Sequence, residues 1–211
     1  MAHFREEGRN CYSKRMSEIH LSKMTGKLER IPAYNTNTTS NEFCIRQKDT
    51  DTICGKCYSH RMLSTFRKNC VPAFERNSEA FAKPIRWGDL PVLNHAFLRI
   101  NGHGELINMT HLVNCHAIAL KNPHCNVAIW TKRAELIRKY HKTYKQPSNL
   151  ILIFSNPRID KPIAVPRGFD KVFNNVQVDK TPQNCTGKKC IECLACYRKD
   201  SGINVIVEAV K

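Results

Sequence analysis

Four cysteines fall within twelve residues near the carboxyl end, in the run NCTGKKCIECLACYRK, as Cys185-x4-Cys190-x2-Cys193-x2-Cys196. Thiolates this close in sequence surround one metal centre with little chain entropy to lose, and the repeated x2 interval is that of iron–sulfur ligand runs. The C-x2-C-x2-C part follows the bacterial ferredoxin pattern and C-x4-C-x2-C the plant pattern, and a fourth ligand so near favours a single [4Fe–4S] cube. Zinc is the alternative cofactor, since it also accepts four thiolates, though usually from two separated pairs.

A second group is Cys44-x9-Cys54-x2-Cys57, followed by Tyr58. Three thiolates on a cube leave one iron open to a small molecule. A closed structural site completed by Cys70 or by His60 is the competing reading. The chain holds 11 cysteines in 211 residues, an odd and unevenly spaced set that makes a poor disulfide framework. Hydrophobic residues make up 41% and charged residues 25%, which fits one domain with a small appendage and excludes a collagenous or wholly disordered chain. No apolar stretch approaches the roughly 20 residues of a membrane-spanning helix, and MAHFREEGRN lacks the apolar segment of a secretory signal. The expectation is a soluble protein of the cytoplasm, whose reducing conditions hold cysteines as thiols or metal ligands.

Three regions emerge along the chain. Residues 1–30 read as an irregular arm with one short helix near 17–27. Residues 31–180 carry the first cysteine group and an α/β core, opening with an Asn/Thr/Asp-rich loop over 31–52. A helix starts beside Cys57 and is stopped by Pro72, and a second runs from Ala73 to Ala82. Beyond it, strands at Ala96–Ile100, Asn126–Trp130, Leu150–Phe154 and Val172–Val178 alternate with helices at Leu112–Lys121 and Lys132–Tyr144. Asn156-Pro157 closes the third strand. Residues 181–211 hold the cysteine run and a last strand, Ile203–Val210. Continuous apolar strands interleaved with helices imply a buried parallel sheet, either open or a partial (β/α) barrel, with cysteine-rich cluster-binding segments.

Directly after the first of these strands comes Asn101-Gly-His-Gly-Glu105. Gly102 and Gly104 would let a ligand approach the backbone at the carboxyl edge of a parallel strand, where α/β sites lie, and a plain turn with an exposed Glu105 is the alternative. The formal net charge is +16. Between Lys121 and Lys145, seven cations (Lys121, Lys132, Arg133, Arg138, Lys139, Lys142 and Lys145) face Glu135 alone, so this helix presents a basic face suited to nucleic acid, with Tyr140, Tyr144 and Trp130 available to stack on bases. A solvated helix in a basic protein would look the same. No Walker, GxGxxG, HExxH or GxSxG motif suggests another chemistry.

An early cysteine triplet ending in CxxCY, a strand followed by GHGE, alternating strands and helices, and a final cysteine run together resemble the radical S-adenosylmethionine superfamily. The resemblance implies that Cys44, Cys54 and Cys57 hold a [4Fe–4S] cluster whose open iron chelates S-adenosylmethionine, and that Gly104 and Glu105 contact the cofactor's amino group. The interval of nine residues between Cys44 and Cys54 departs from that superfamily's three, and GHGE from its GGE. The pieces YNTNTTS, CGKCYS, LRINGHGEL, AIWTKR and CTGKKCIECLACY, over residues 31–197, are similar to the uncharacterised bacteriophage gene product 88 family. That implies a phage protein of the host cytoplasm and no particular activity; it is the basic surface that suits nucleic acid or a host protein as partner. It leaves open radical chemistry on such a target or non-catalytic binding stapled by clusters or zinc.

Overall fold

The computed structural model describes residues 19–178 and 181–210. Seven strands form one sheet in chain order: β1 (Leu21–Ser22), β2 (Ala33–Tyr34), β3 (Phe97–Ile100), β4 (Asn126–Thr131), β5 (Leu150–Ile159), β6 (Lys171–Val176) and β7 (Val205–Ala209). β1 runs antiparallel to β2, and every later neighbour is parallel. A doubly wound sheet reverses its strand order at a switch point. This one never does, and the crossovers between β2 and β5 carry their helices to one face, while the connection from β6 to β7 passes over the other. The α/β class holds, with an open sheet that is not closed into a barrel.

The helices are α1 (Glu42–Arg46), α2 (Tyr58–Ser64), α3 (Val71–Phe81), α4 (Met109–Lys121), α5 (Ala134–Thr143) and α6 (Cys190–Cys193). Leu98 and Ile100, Val127 and Ile129, and Leu150 and Leu152 point to the face covered by α3, α4 and α5, through Phe81, Leu112, Cys115, Ile118, Leu136, Ile137 and Tyr140. The alternate residues Phe97, Ala128, Trp130, Ile151 and Ile153 point the other way. There they meet Cys190, Ile191, Leu194, Cys196 and Tyr197 of the carboxyl-terminal segment. The strands thus read as unbroken apolar runs because both faces are covered, one by helices and one by the cysteine run.

Several expectations are corrected. The described part of the helix expected over 17–27 holds β1 and a 3-10 turn at Gly26–Leu28 instead, residues 17 and 18 lying outside the described residues. The loop over 31–52 contains β2 and α1. α2 already ends at Ser64, and Pro72 stands in the first turn of α3, where its missing N–H is no loss. β5 continues through Asn156-Pro157, because the register shifts between Ser155 and Ile159 and a bulge tolerates proline. Among the described residues, no helix is long and apolar enough to cross a membrane.

Candidate functional site

Two groups of cysteines gather at different places on this sheet. The first lies at the carboxyl edge of the parallel strands. After β2 the chain Asn35, Thr36, Asn37, Thr38 and Asn41 is buried although wholly polar, which is tolerated because these short side chains bond to main chain. The Asn35 Oδ1 accepts the His103 N–H at 2.8 Å, the Thr36 N–H donates to the His103 carbonyl at 3.0 Å, and the Asn41 amide donates to the Glu105 carbonyl at 3.1 Å. Asn41 also caps α1, its Oδ1 accepting from the Phe43 and Cys44 N–H groups. The GHGE loop is therefore fixed to the cap of the helix that carries Cys44.

Cys54 and Cys57 come from a tight turn in which the Cys57 N–H donates to the Cys54 carbonyl at 3.1 Å, and the turn is pinned to β5 by the Ile53 N–H on the Pro157 carbonyl at 2.9 Å. The Cys57 sulfur caps α2 by accepting from the His60 N–H at 3.5 Å. Gly55 is required, though not for positive φ: a Cβ there would run into the Thr50 carbonyl oxygen. Cys44, Cys54 and Cys57 line one pocket with Thr38, Lys48 and His60. The Thr38 hydroxyl on that wall is buried without a hydrogen-bond partner. Burial pushes Cys44 up to about 12, with Glu105 and Cys57 adding and Lys132 opposing. Burial raises Cys54 too. Cys70 stands apart, packed on the cluster of Met62, Leu63 and Phe74, so of the two residues considered for a fourth position only His60 is at the pocket.

Glu105 is neither an exposed turn residue nor open to a ligand. It is 3% exposed, and its oxygens accept the Leu106 and Lys132 N–H groups, each at 2.8 Å. The loop glycines serve packing: Gly104 has φ +98° and a Cβ there would meet Thr36, while a Cβ on Gly102 would come within 2.7 Å of the Asn35 oxygen.

The second group lies across the sheet face opposite the helices. Asn184 and Cys185 pair with β7, the Cys185 N–H donating to the Val207 carbonyl at 3.0 Å. α6 then carries Cys190 and Cys193, and Leu194 in the left-handed region (φ 52°) turns the chain toward Cys196. All four cysteines line one pocket, with Lys27, Leu194, Tyr197 and Ile206. The Lys27 ammonium donates to the Cys185 sulfur at 2.8 Å and to Glu208 at 2.6 Å. Burial works against the Lys27 charge, and Cys185 and Glu208 outweigh it, so its pKa is raised. Burial pushes Cys196 up to about 12, opposed by Arg99. The Tyr197 hydroxyl, buried in the same wall, makes no hydrogen bond of good geometry.

Both pockets thus join buried thiols to a hydroxyl that lacks an acceptor, a donor set suited to a sulfur-rich anionic group. Among the described residues, no three His, Cys, Asp or Glu side chains are gathered tightly enough to hold one metal ion. A tetrahedral zinc with Zn–S of about 2.3 Å would need sulfur atoms about 3.8 Å apart.

The basic stretch divides. Arg138, Lys139, Lys142 and Lys145 are exposed. Arg133 instead pairs with Glu135 at 2.7 Å and donates to the Leu106 and Ile107 carbonyls. Lys132 turns to the first cysteine group, its ammonium 3.2 Å from the Ser155 hydroxyl. Tyr140 (0% exposed) and Trp130 (6%) lie in the core and cannot stack on bases, which corrects that expectation, while Tyr144 remains half-exposed on Tyr140. Sequence reasoning missed Thr38, Lys27 and Arg99 as site residues. Only Arg99 left a signal, as the single charge in the apolar strand Ala96–Ile100. No protein-family model, curated protein or solved structure matches the chain.

Proposed function

We propose that this chain is an iron–sulfur protein with two centres, a closed one on Cys185, Cys190, Cys193 and Cys196 and an open one on Cys44, Cys54 and Cys57. The observation that carries the reading is that each cysteine group lines its own pocket, although its first member comes from a separate turn or helix. The repeated x2 interval favours clusters over zinc, which usually takes its thiolates from two separated pairs. Thiols must lose their protons to bind metal, and partial burial raises Cys44 and Cys196, so loading is expected to improve with rising pH.

The open centre lies at the strand carboxyl edge, where α/β enzymes bind their ligands. A cluster with a free iron supplies one electron and a chelating position for S-adenosylmethionine, which makes this a radical S-adenosylmethionine-like enzyme of phage type acting on nucleic acid or a host component. The chain's own part is to present Lys132 as a cation beside the thiols and to hold the His103–Gly104 backbone against Thr36. Anaerobic purification tests the reading: about eight irons and matching sulfide support two cubes, and about four support one. Cys193→Ser is expected to lose the closed centre alone, whereas Cys70→Ser keeps all iron. A colourless, zinc-loaded chain would end the proposal. Iron-loaded, reduced protein that neither binds S-adenosylmethionine nor yields 5′-deoxyadenosine would remove the enzymatic part and leave the second reading, non-catalytic nucleic-acid binding in the host cytoplasm. The exposed Arg138, Lys139, Lys142 and Lys145 on and just beyond α5 favour that reading.

A further inference from the structure

Arg99 lies on β3 with its side chain on the face away from the helices, opposite Ala33 on one neighbouring strand and Ala128 on the other. These two small residues leave room for the long side chain to lie across the sheet. It uses that room to reach Trp130, with the guanidinium carbon 3.9 Å from the ring centroid. Its Nε is fully buried and has no hydrogen-bond acceptor. Among the described residues no carboxylate pairs with it. Trp130 in turn packs in one cluster with Cys190, Cys196 and Tyr197 of the carboxyl-terminal segment, and the Arg99 charge acts on these three.

A partly buried cation without a counter-anion is costly, and the cost is relieved when an anion forms beside it. The side chains on that face able to hold such an anion are the cysteines packed with Trp130 and Tyr197. Four thiolates around an oxidised [4Fe–4S] core carry about two net negative charges. Lys27, 2.8 Å from the Cys185 sulfur, is already paired with Glu208 at 2.6 Å, which leaves Arg99 as the cation without a carboxylate beside it.

We infer that Arg99 is a positioning residue of the carboxyl-terminal centre: held on Trp130, which packs with Cys190, Cys196 and Tyr197, it is the fixed counter-cation that stabilises the cluster's reduced state. This rests on the two-centre reading above. Hydrogen bonds and net charge around the sulfur atoms are what set a cluster's potential, so the charge of Arg99 has its own readout apart from any activity.

The test is a redox titration, followed by electron paramagnetic resonance, of the full chain carrying Cys44→Ser, Cys54→Ser and Cys57→Ser so that only the carboxyl-terminal centre reports. In that background Arg99→Gln is expected to lower the ratio of reduced to oxidised cluster about tenfold at a fixed potential, equivalent to about 59 mV for a one-electron couple. Arg99→Lys is expected to restore most of it. If Arg99→Gln loses its iron, retention by Arg99→Lys supports a role for charge. Loss from both variants, or full iron with an unchanged ratio in Arg99→Gln, overturns the inference while leaving the two-centre reading intact. Absence of iron at these four cysteines with Arg99 in place defeats that reading and the inference with it.

Discussion

Replacing Glu105 with Gln turns one carboxylate oxygen into an NH2 group, and both oxygens already accept a main-chain N–H: Oε1 that of Leu106 and Oε2 that of Lys132, each at 2.8 Å. Whichever way the amide is oriented, a donor faces a donor. A buried N–H left without an acceptor costs about 1–3 kcal/mol, and loss of charge assistance on the surviving bond adds about 1 kcal/mol. Relief of the burial that raises the Glu105 pKa returns part of this, so the expected loss is about 2–3 kcal/mol. Urea unfolding measures it as a lower midpoint at unchanged m. The effect should also reach iron loading, since the Glu105 carbonyl holds Asn41, whose side chain caps the helix of Cys44. Glu105→Gln is therefore expected to weaken the Cys44–Cys54–Cys57 centre and spare the carboxyl-terminal one. A variant as stable as the parent, with full iron but poorer binding of S-adenosylmethionine, would refute the argument, because it would make the carboxylate a ligand contact instead of a brace between β3 and β4.

Gly104→Ala should cost about 2–4 kcal/mol, from left-handed strain together with a Cβ directed into buried Thr36, and an unfolding midpoint equal to the parent's would show that the loop is not seated there. Burial holds His111 down at about 3, and burial with Arg99 and Arg67 holds His103 at about 4. Both folded-state values lie below the unfolded value near 6.5, so this stability is complete above pH 6.5 and is lost as pH falls toward the folded values. Between pH 6.5 and 5 the two together should remove up to about 4 kcal/mol, and a flat urea midpoint across that range contradicts the assignment. Reversing Arg138, Lys139 and Lys142 to Glu should flatten the salt dependence of binding to a duplex, by about 0.9 in log–log slope for each phosphate no longer neutralised, as read by fluorescence anisotropy. An unchanged slope would place the partner elsewhere.

The strands of the second half were legible because each is long enough for its own apolar run, and the handedness of crossovers then limits how they assemble. β1 and β2 were not legible: each has two residues, and their pairing is supplied by β3 and by the Asn77 side chain bridging His20 and Asn35. α1 has five residues and depends on a single asparagine cap. Both cysteine groups were readable from spacing, which reports proximity along the chain. Lys132 and Arg133 part from the exposed cations of α5 because a count of charge carries no direction: one follows β4 and reaches the Ser155 hydroxyl, and the other seals the carbonyls of residues 106 and 107. Tyr140 was readable in principle, since it lies four residues after Leu136 and three after Ile137, within the apolar stripe of α5.

The surroundings of the two pockets differ in a way that orders their potentials once loaded. At the first, Lys132 is opposed by the buried Glu105, whose charge acts on Cys44 against ionisation, and Lys48 on the pocket wall is exposed and screened by solvent. At the second, Glu208 offsets Lys27 at 2.6 Å, and Arg99, with which no carboxylate pairs among the described residues, acts on the thiols uncompensated. An added electron is repelled by a nearby carboxylate and attracted by a nearby cation, so the first centre should be the stronger reductant. That is the order a reductive cleavage at the open iron needs, with the electron-rich centre at the strand edge and the more easily reduced one behind it. A titration of the fully loaded chain should resolve two steps, and Cys57→Ser should abolish the more negative one. If Cys57→Ser removes the more positive step instead, charge at the pocket walls does not govern this protein's redox chemistry.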